Sequence, residues 1–294
     1  MSDHSPWKAF TVERKDHVAQ VTLIGPGKGN AMGPDFWAEL PVLFGELDAD
    51  PEVRAVVLAG SGRNFSYGLD LVAMGGSLGA VVSGKALAKP RTDFHTLIKN
   101  MQAAITAVAD CRKPVVAAVQ GWCIGGAVDL ISAADIRYAS ADAKFSVREV
   151  KVGMVADVAP SPGSRSSSAT VTSASSRHGK DIDAARAEKI GLVNDVHDDA
   201  DAVLAAAHAT AAEIAANPPL VVQGIKNVLD HTRSPQVDDS LRYVAAWNAA
   251  FLPSEDLTER SPPSSRSARR SSRASRPRIR RIPRTITSSG GSAL

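Results

Sequence analysis

Glu149 ends an alternating run, and its place there suggests chemistry. Phe145, Val147 and Glu149 share one face of a strand read at residues 144–152; Lys144, Ser146 and Arg148 share the other. The apolar face thus carries a carboxylate where a third apolar side chain is expected. Such a carboxylate has a raised pKa unless it is paired, which suits a general acid or base. A strand-end glutamate turning into solvent is the plainer alternative. Asp129 falls in the first turn of a helix read at 127–134, where its charge also suits the helix dipole. Asp157 precedes a Ser-rich stretch and can serve there as a cap.

Two glycine-bearing segments could supply backbone donors. Gly121-Trp122-Cys123-Ile124-Gly125-Gly126 leads into the 127–134 helix, and glycines there let a ligand approach N–H groups at a helix start. Asn64-Phe65-Ser66-Tyr67-Gly68-Leu69-Asp70 follows a short apolar strand and could add a second donor from another loop. Two such donors make an oxyanion hole. A tight strand-to-helix turn alone would explain the first segment equally well, and the second taken alone is a loop with a good capping residue. The first is a poor dinucleotide fingerprint, because Cys123 stands where its second glycine belongs. Gly75-Gly76-Ser77-Leu78-Gly79 matches G-x-S-x-G, but Asp70-Leu71-Val72-Ala73-Met74 before it reads as a helical turn, not the strand that a nucleophile elbow needs.

The elements that must position these groups alternate. Strands are read at 18–24, 54–59, 114–119 and 144–152, and helices at 35–48, 92–110 and 127–134, with a Gly-rich loop at 75–84. Further helices are read at 183–189, 199–216, 219–230 and 236–250. This is an α/β pattern with crossover connections. With 294 residues, 44% hydrophobic and 22% charged, the chain has an ordinary globular balance. Cys111 and Cys123 are too few for a disulfide framework, no apolar run reaches a membrane span, and no secretory pattern opens the chain. A cytoplasmic protein is expected.

Two segments break the pattern. Residues 159–178 hold eight Ser in twenty and no Leu, Ile, Phe or Met. Residues 260–294 hold ten Arg and no Lys, Asp or Glu, which leaves 24 basic against 31 acidic residues before them. The net charge of +3 therefore hides an acidic body and a basic tail. Neither segment can bury enough apolar surface to offset the entropy of ordering, so both are expected to lack a packed helix.

Taken together, the motifs resemble the crotonase superfamily, the enoyl-CoA hydratase/isomerase family. The resemblance rests on Asn64 to Asp70, on Pro114-Val115-Val116-Ala117-Ala118-Val119-Gln120 running through Gly121-Trp122-Cys123-Ile124-Gly125-Gly126-Ala127-Val128-Asp129-Leu130, and on Asp135-Ile136-Arg137. Lys28-Gly29-Asn30-Ala31-Met32 looks like the family's early CoA-contacting segment, and Gly179 to Asn194 resembles the stretch before its trimer-forming helices. The resemblance implies a spiral of ββα units over residues 8–198 and a C-terminal helical oligomerisation region at 199–259, whereas the composition of residues 260–294 predicts a disordered tail. It implies an acyl-CoA thioester substrate, an oxyanion hole from the N–H groups of Tyr67 and Gly126, a homotrimer or homohexamer, and no metal or redox cofactor. Lys28, Asn30, Ala31, Ser66, Gly68, Leu69, Asp70 and Gly125 would contact substrate.

Within the family, 3,5-dienoyl-CoA to 2,4-dienoyl-CoA isomerases carry Asp, then Glu twenty residues on, then Asp eight further. Asp129, Glu149 and Asp157 stand at those spacings, so the chain resembles this subgroup more than the hydratases, which place Glu at the position of Asp129. The resemblance implies Asp157 as base, Glu149 as acid and Asp129 in support. The runner-up is a 2-enoyl-CoA hydratase. A fold that binds CoA esters without turnover and non-specific nucleic-acid binding by the Arg-rich tail are readings of other classes. Family-like sequence stops after Val158, resumes sharply at Gly179 and stops again after Glu259, which suggests reading-frame shifts.

Overall fold

Ala55–Gly60 (β3) and Val115–Val119 (β4) are apolar throughout because both of their faces are buried. They lie at the centre of a six-stranded sheet with Phe10–Lys15 (β1), Val18–Leu23 (β2), Ile136–Ser140 (β6) and Asp195–His197 (β9), in the order β1-β2-β3-β4-β6-β9. All neighbours are parallel except the β1–β2 hairpin. A second sheet, in the order β5-β7-β8, joins Trp122–Ile124 (β5), Lys144–Ser146 (β7) and Ile182–Asp183 (β8). The computed structural model describes residues 7–25, 28–76, 88–152, 179–231 and 234–251. All fall in one unit, Met1–Arg260; a second, Ser261–Leu294, lies outside the described residues, as does 159–178, so the readings of both anomalous segments fall there.

The strand alternation sends Val56, Leu58, Val115, Ala117 and Val119 to one side of the large sheet. There they meet Pro34–Ala49 (α1), Ala88–Asp110 (α2) and Gly126–Ala133 (α3) through Phe36, Leu40, Phe44, Ile98, Ile105 and Leu130. Ala55, Val57, Val116 and Ala118 face the other side, against Ala200–Ala216 (α6). That helix presents Val203, Ala207, Ala211 and Ala215 at four-residue spacing, small side chains that let it approach the sheet closely. Short helices Glu149–Val152 (α4) and Ala184–Lys189 (α5) flank the small sheet. Pro219–His231 (α7) and Ser234–Phe251 (α8) complete the C-terminal helical region. No helix among the described residues is long and apolar enough to cross a membrane.

One element differs from its sequence reading. The strand expected over 144–152 ends at Ser146, and Glu149 opens a helical turn instead, with Lys151 N–H donating to Arg148 O. The cause is the loss of partners. β5 offers only three residues and β8 only two, and the bond from Gly125 N–H to Ser146 O closes the β5 side. Past it no neighbouring strand remains among the described residues, so Phe145, Val147 and Glu149 do not share one strand face.

Candidate active site

The site grows from three segments sewn together through their backbones. In the loop from Phe65 to Asp70, Phe65 N–H donates to Gln120 O, Ser66 N–H to Trp122 O, Tyr67 N–H to Gly29 O, Gly68 N–H to Ser66 Oγ and Asp70 N–H to Met32 O. Among the described residues, Leu69 N–H is the one donor in this stretch with no acceptor. The expectation for Tyr67 is therefore corrected. Its N–H is held 2.9 Å from Gly29 O, so it is not presented to a ligand, and the open donor lies two residues further on.

The second open donor is at the start of α3. Gly125 N–H is taken by Ser146 O, and Gly125 O accepts from Val128 and Asp129, but Gly126 N–H has no acceptor among the described residues. It is one of the orphan donors that every helix start leaves, at the positive end of the helix. Gly68 brings the two donors together. It has φ +76°, and a Cβ there would stand 2.3 Å from Ile124 O and 3.2 Å from Gly126 N, so only a glycine lets the loop seat this closely on α3. Met32 and Trp37 form the apolar floor: a Cβ on Gly126 would stand 3.3 Å from Met32 Sδ and 3.8 Å from the Trp37 ring.

One of the three carboxylates rests on the donor turn, and a second lies in the helix that this turn opens. Gly125 has φ 55° and ψ −123°, a conformation that favours glycine. Glu149 Oε1 lies 3.0 Å from where a Cβ on Gly125 would stand, so the carboxylate rests against the donor turn. Asp129 is buried one turn into α3. Cys123 lies beneath, fully buried; burial first, then the charge of Asp129, pushes its thiol well above the ordinary range. Asp157 lies outside the described residues.

The other expected substrate contacts divide. Lys28 is exposed, and Ala31 and Leu69 are half-buried beside the loop. Asn30 instead serves the interior. It is buried, donates from Nδ2 to Ser61 O, Asn64 O and Phe65 O, and accepts from Ser61 Oγ. The Ser66 hydroxyl donates to Asn30 O, so it too holds the loop. Asp70 Oδ1 caps the following turn by accepting from Val72 and Ala73 N–H. Gly68 and Gly125 act through shape. Ser77 lies outside the described residues; the turn read before it is present at 71–74.

Sequence reasoning passed over a cluster beside Glu149. Ser146 Oγ donates to Asp181 Oδ1 at 2.6 Å and accepts from Arg148 Nε at 3.2 Å. Arg148 Nη2 also reaches both Asp181 oxygens at 3.3 Å. The Ser146 hydroxyl, followed by Arg148, holds the Asp181 carboxyl below its usual range. The Trp122 ring lies 5.0 Å from the Arg148 guanidinium and 5.5 Å from Lys144 Nζ. Trp122 pairs with Lys144 across the small sheet, and the sequence signal for the cluster is that Lys144, Ser146 and Arg148 alternate toward one side.

Two neighbouring backbone donors beside carboxylates can polarise a thioester carbonyl, hold the negative oxygen of an enolate and exchange protons with the carbon chain. Residues 13–259 match the family described as Enoyl-CoA hydratase/isomerase. A Delta(3,5)-Delta(2,4)-dienoyl-CoA isomerase of Mus musculus, named as mitochondrial, is 39% identical over 87% of this chain and 79% of its own length. Its namesake from Dictyostelium discoideum is 38% identical over 86% of this chain and 87% of its own. The crystal structure of an enoyl-CoA hydratase/isomerase from Mycobacterium paratuberculosis superposes with a TM-score of 0.72 at 30% identity, over 86% of this chain and 96% of that one.

Proposed function

Because the chain belongs to the enoyl-CoA hydratase/isomerase family, we propose that it converts a 3,5-dienoyl-CoA to the 2,4-dienoyl-CoA. The observation that carries this reading is the likeness to dienoyl-CoA isomerases over most of the chain. Asp129, Glu149 and Asp157 at that subgroup's spacing support it.

The thioester oxygen accepts from Leu69 N–H and Gly126 N–H. Asp157 takes the C2 proton, the electron pair moves into a dienolate held by those two donors, and Glu149 returns a proton at C6. Each donor is worth about 2.7–4 kcal/mol in the transition state. Asp129 supports by charge and hydrogen bonding. The reaction draws on no metal or redox cofactor. Lys28 on the rim suits the CoA phosphates, and Ala31 and Leu69 border the acyl path.

Ultraviolet absorbance of the conjugated product tests the reading directly. Wild-type protein should generate 2,4-dienoyl absorbance from 3,5-dienoyl-CoA. Asp157→Asn should lower that rate by orders of magnitude while CoA-ester affinity changes little, since the base is lost and the size kept. Hydration of a 2-enoyl-CoA with no dienoyl product would reverse the ranking in favour of a hydratase, and CoA-ester binding with no turnover would favour a non-catalytic binder.

The chain is further proposed to assemble as a homotrimer or homohexamer through α7 and α8, on the exposed apolar faces of those helices. Its compartment follows the cytoplasmic reading or the mitochondrial naming of the two relatives, and imaging of a tagged chain decides between them.

A further inference from the structure

Glu149 stands at a bend just past the end of β7. β7 ends at Ser146, and α4 is a single turn of four residues. Among the described residues, Arg148 braces this bend. Its guanidinium is gripped on three sides: by Asp181 through two contacts of 3.3 Å, by Ser146 Oγ at 3.2 Å from Nε, and by the face of Trp122 at 5.0 Å. Its carbonyl accepts Lys151 N–H at 2.9 Å, closing the turn that Glu149 opens. Ser146 links this grip to the donor turn, because its carbonyl accepts Gly125 N–H at 2.9 Å while its hydroxyl bonds Asp181. Glu149 directly follows Arg148, and its carboxylate rests on Gly125.

We propose that Arg148, clamped by Trp122, Ser146 and Asp181, is a positioning residue that sets the Glu149 carboxylate against the Gly125–Gly126 donor turn. The role deepens the reading of Glu149 as the group that returns the proton, and rests on it. The clamp is partly open to water: the Arg148 and Asp181 side chains are 40% and 42% exposed. Ion pairs in such places add little to global stability. Catalytic geometry is far less tolerant, and an error of about 1 Å costs about a hundredfold in rate. Losing the clamp should therefore cost rate and leave the fold intact.

The test compares Arg148→Ala and Arg148→Lys in the full chain with 3,5-dienoyl-CoA. Arg148→Ala should lower kcat by about tenfold to a hundredfold, with KM and the melting temperature little changed. Arg148→Lys keeps the charge over Trp122 and should recover part of the rate. A crystal structure of Arg148→Ala should show the Glu149 carboxylate moved off Gly125. An unchanged kcat overturns the proposal. So does a loss of rate that follows a fall in melting temperature, or a Glu149 carboxylate still seated on Gly125. Should the wild-type chain fail to isomerise the substrate, the functional reading falls, and the position of Glu149 in the two crystal structures alone decides whether the clamp exists.

Discussion

A methyl group on Gly68 would collide with Ile124 O, and φ +76° strains any L side chain. Gly68→Ala must lift the loop from α3 and part the Leu69 and Gly126 donors. The expected result is a kcat lower by about 10²–10³, the range for losing one oxyanion donor, measured by the dienoyl assay. Ordinary activity in this variant would remove the loop from the donor pair. The same close approach shows what was legible at this scale. The glycines and the need for two donors from separate loops stood in the sequence. Which N–H stays open did not, because that depends on every other N–H in the loop finding its acceptor, and the acceptors Gly29 O, Met32 O and Gln120 O come from distant segments.

Among the elements, α7 is tied to the core by an ion pair with little exposure. Lys226 Nζ lies 2.8 Å from Asp135 Oδ2, with side chains 8% and 13% exposed, and the same oxygen accepts Val115 N–H at the start of β4. Removing one member of such a pair leaves the other charge buried, at a cost of about 3–5 kcal/mol. Lys226→Met should lower stability to chemical denaturation by that order, whereas an effect below about 1 kcal/mol would mean that the pair is solvated. The periodic elements were read well: α1, α2, α6 and α8 differ from their expected bounds by four residues at most, since each carries a long apolar stripe. The six-residue β1 and five-residue β6 are absent from the sequence reading, and so are β5, β8 and β9, whose two or three residues hold no period to read. β7 was overextended for the opposite reason: its alternation runs on past the point where its neighbours end.

For the whole molecule, the apolar surface at the C-terminal end is the main feature left open. Leu220, Val221, Ile225 and Val228 are exposed along α7, and on α8 Tyr243, Trp247 and Phe251 stand at four-residue spacing with Trp247 and Phe251 ring centres 4.5 Å apart. Val228→Glu should reduce the mass seen by sedimentation velocity if this face joins subunits; an unchanged oligomer would place the interface elsewhere. The donor pair also has a consequence for the chain as a whole. Leu69 lies in the segment after β3 and Gly126 in the segment after β4, and the paired strands bring the two together, so an unfolded chain has no such site. A thioester analogue bound through both donors would therefore act as a folding ligand. At about a hundred times its dissociation constant it would stabilise the native state by about 2.7 kcal/mol, and the melting temperature would report site assembly without any turnover.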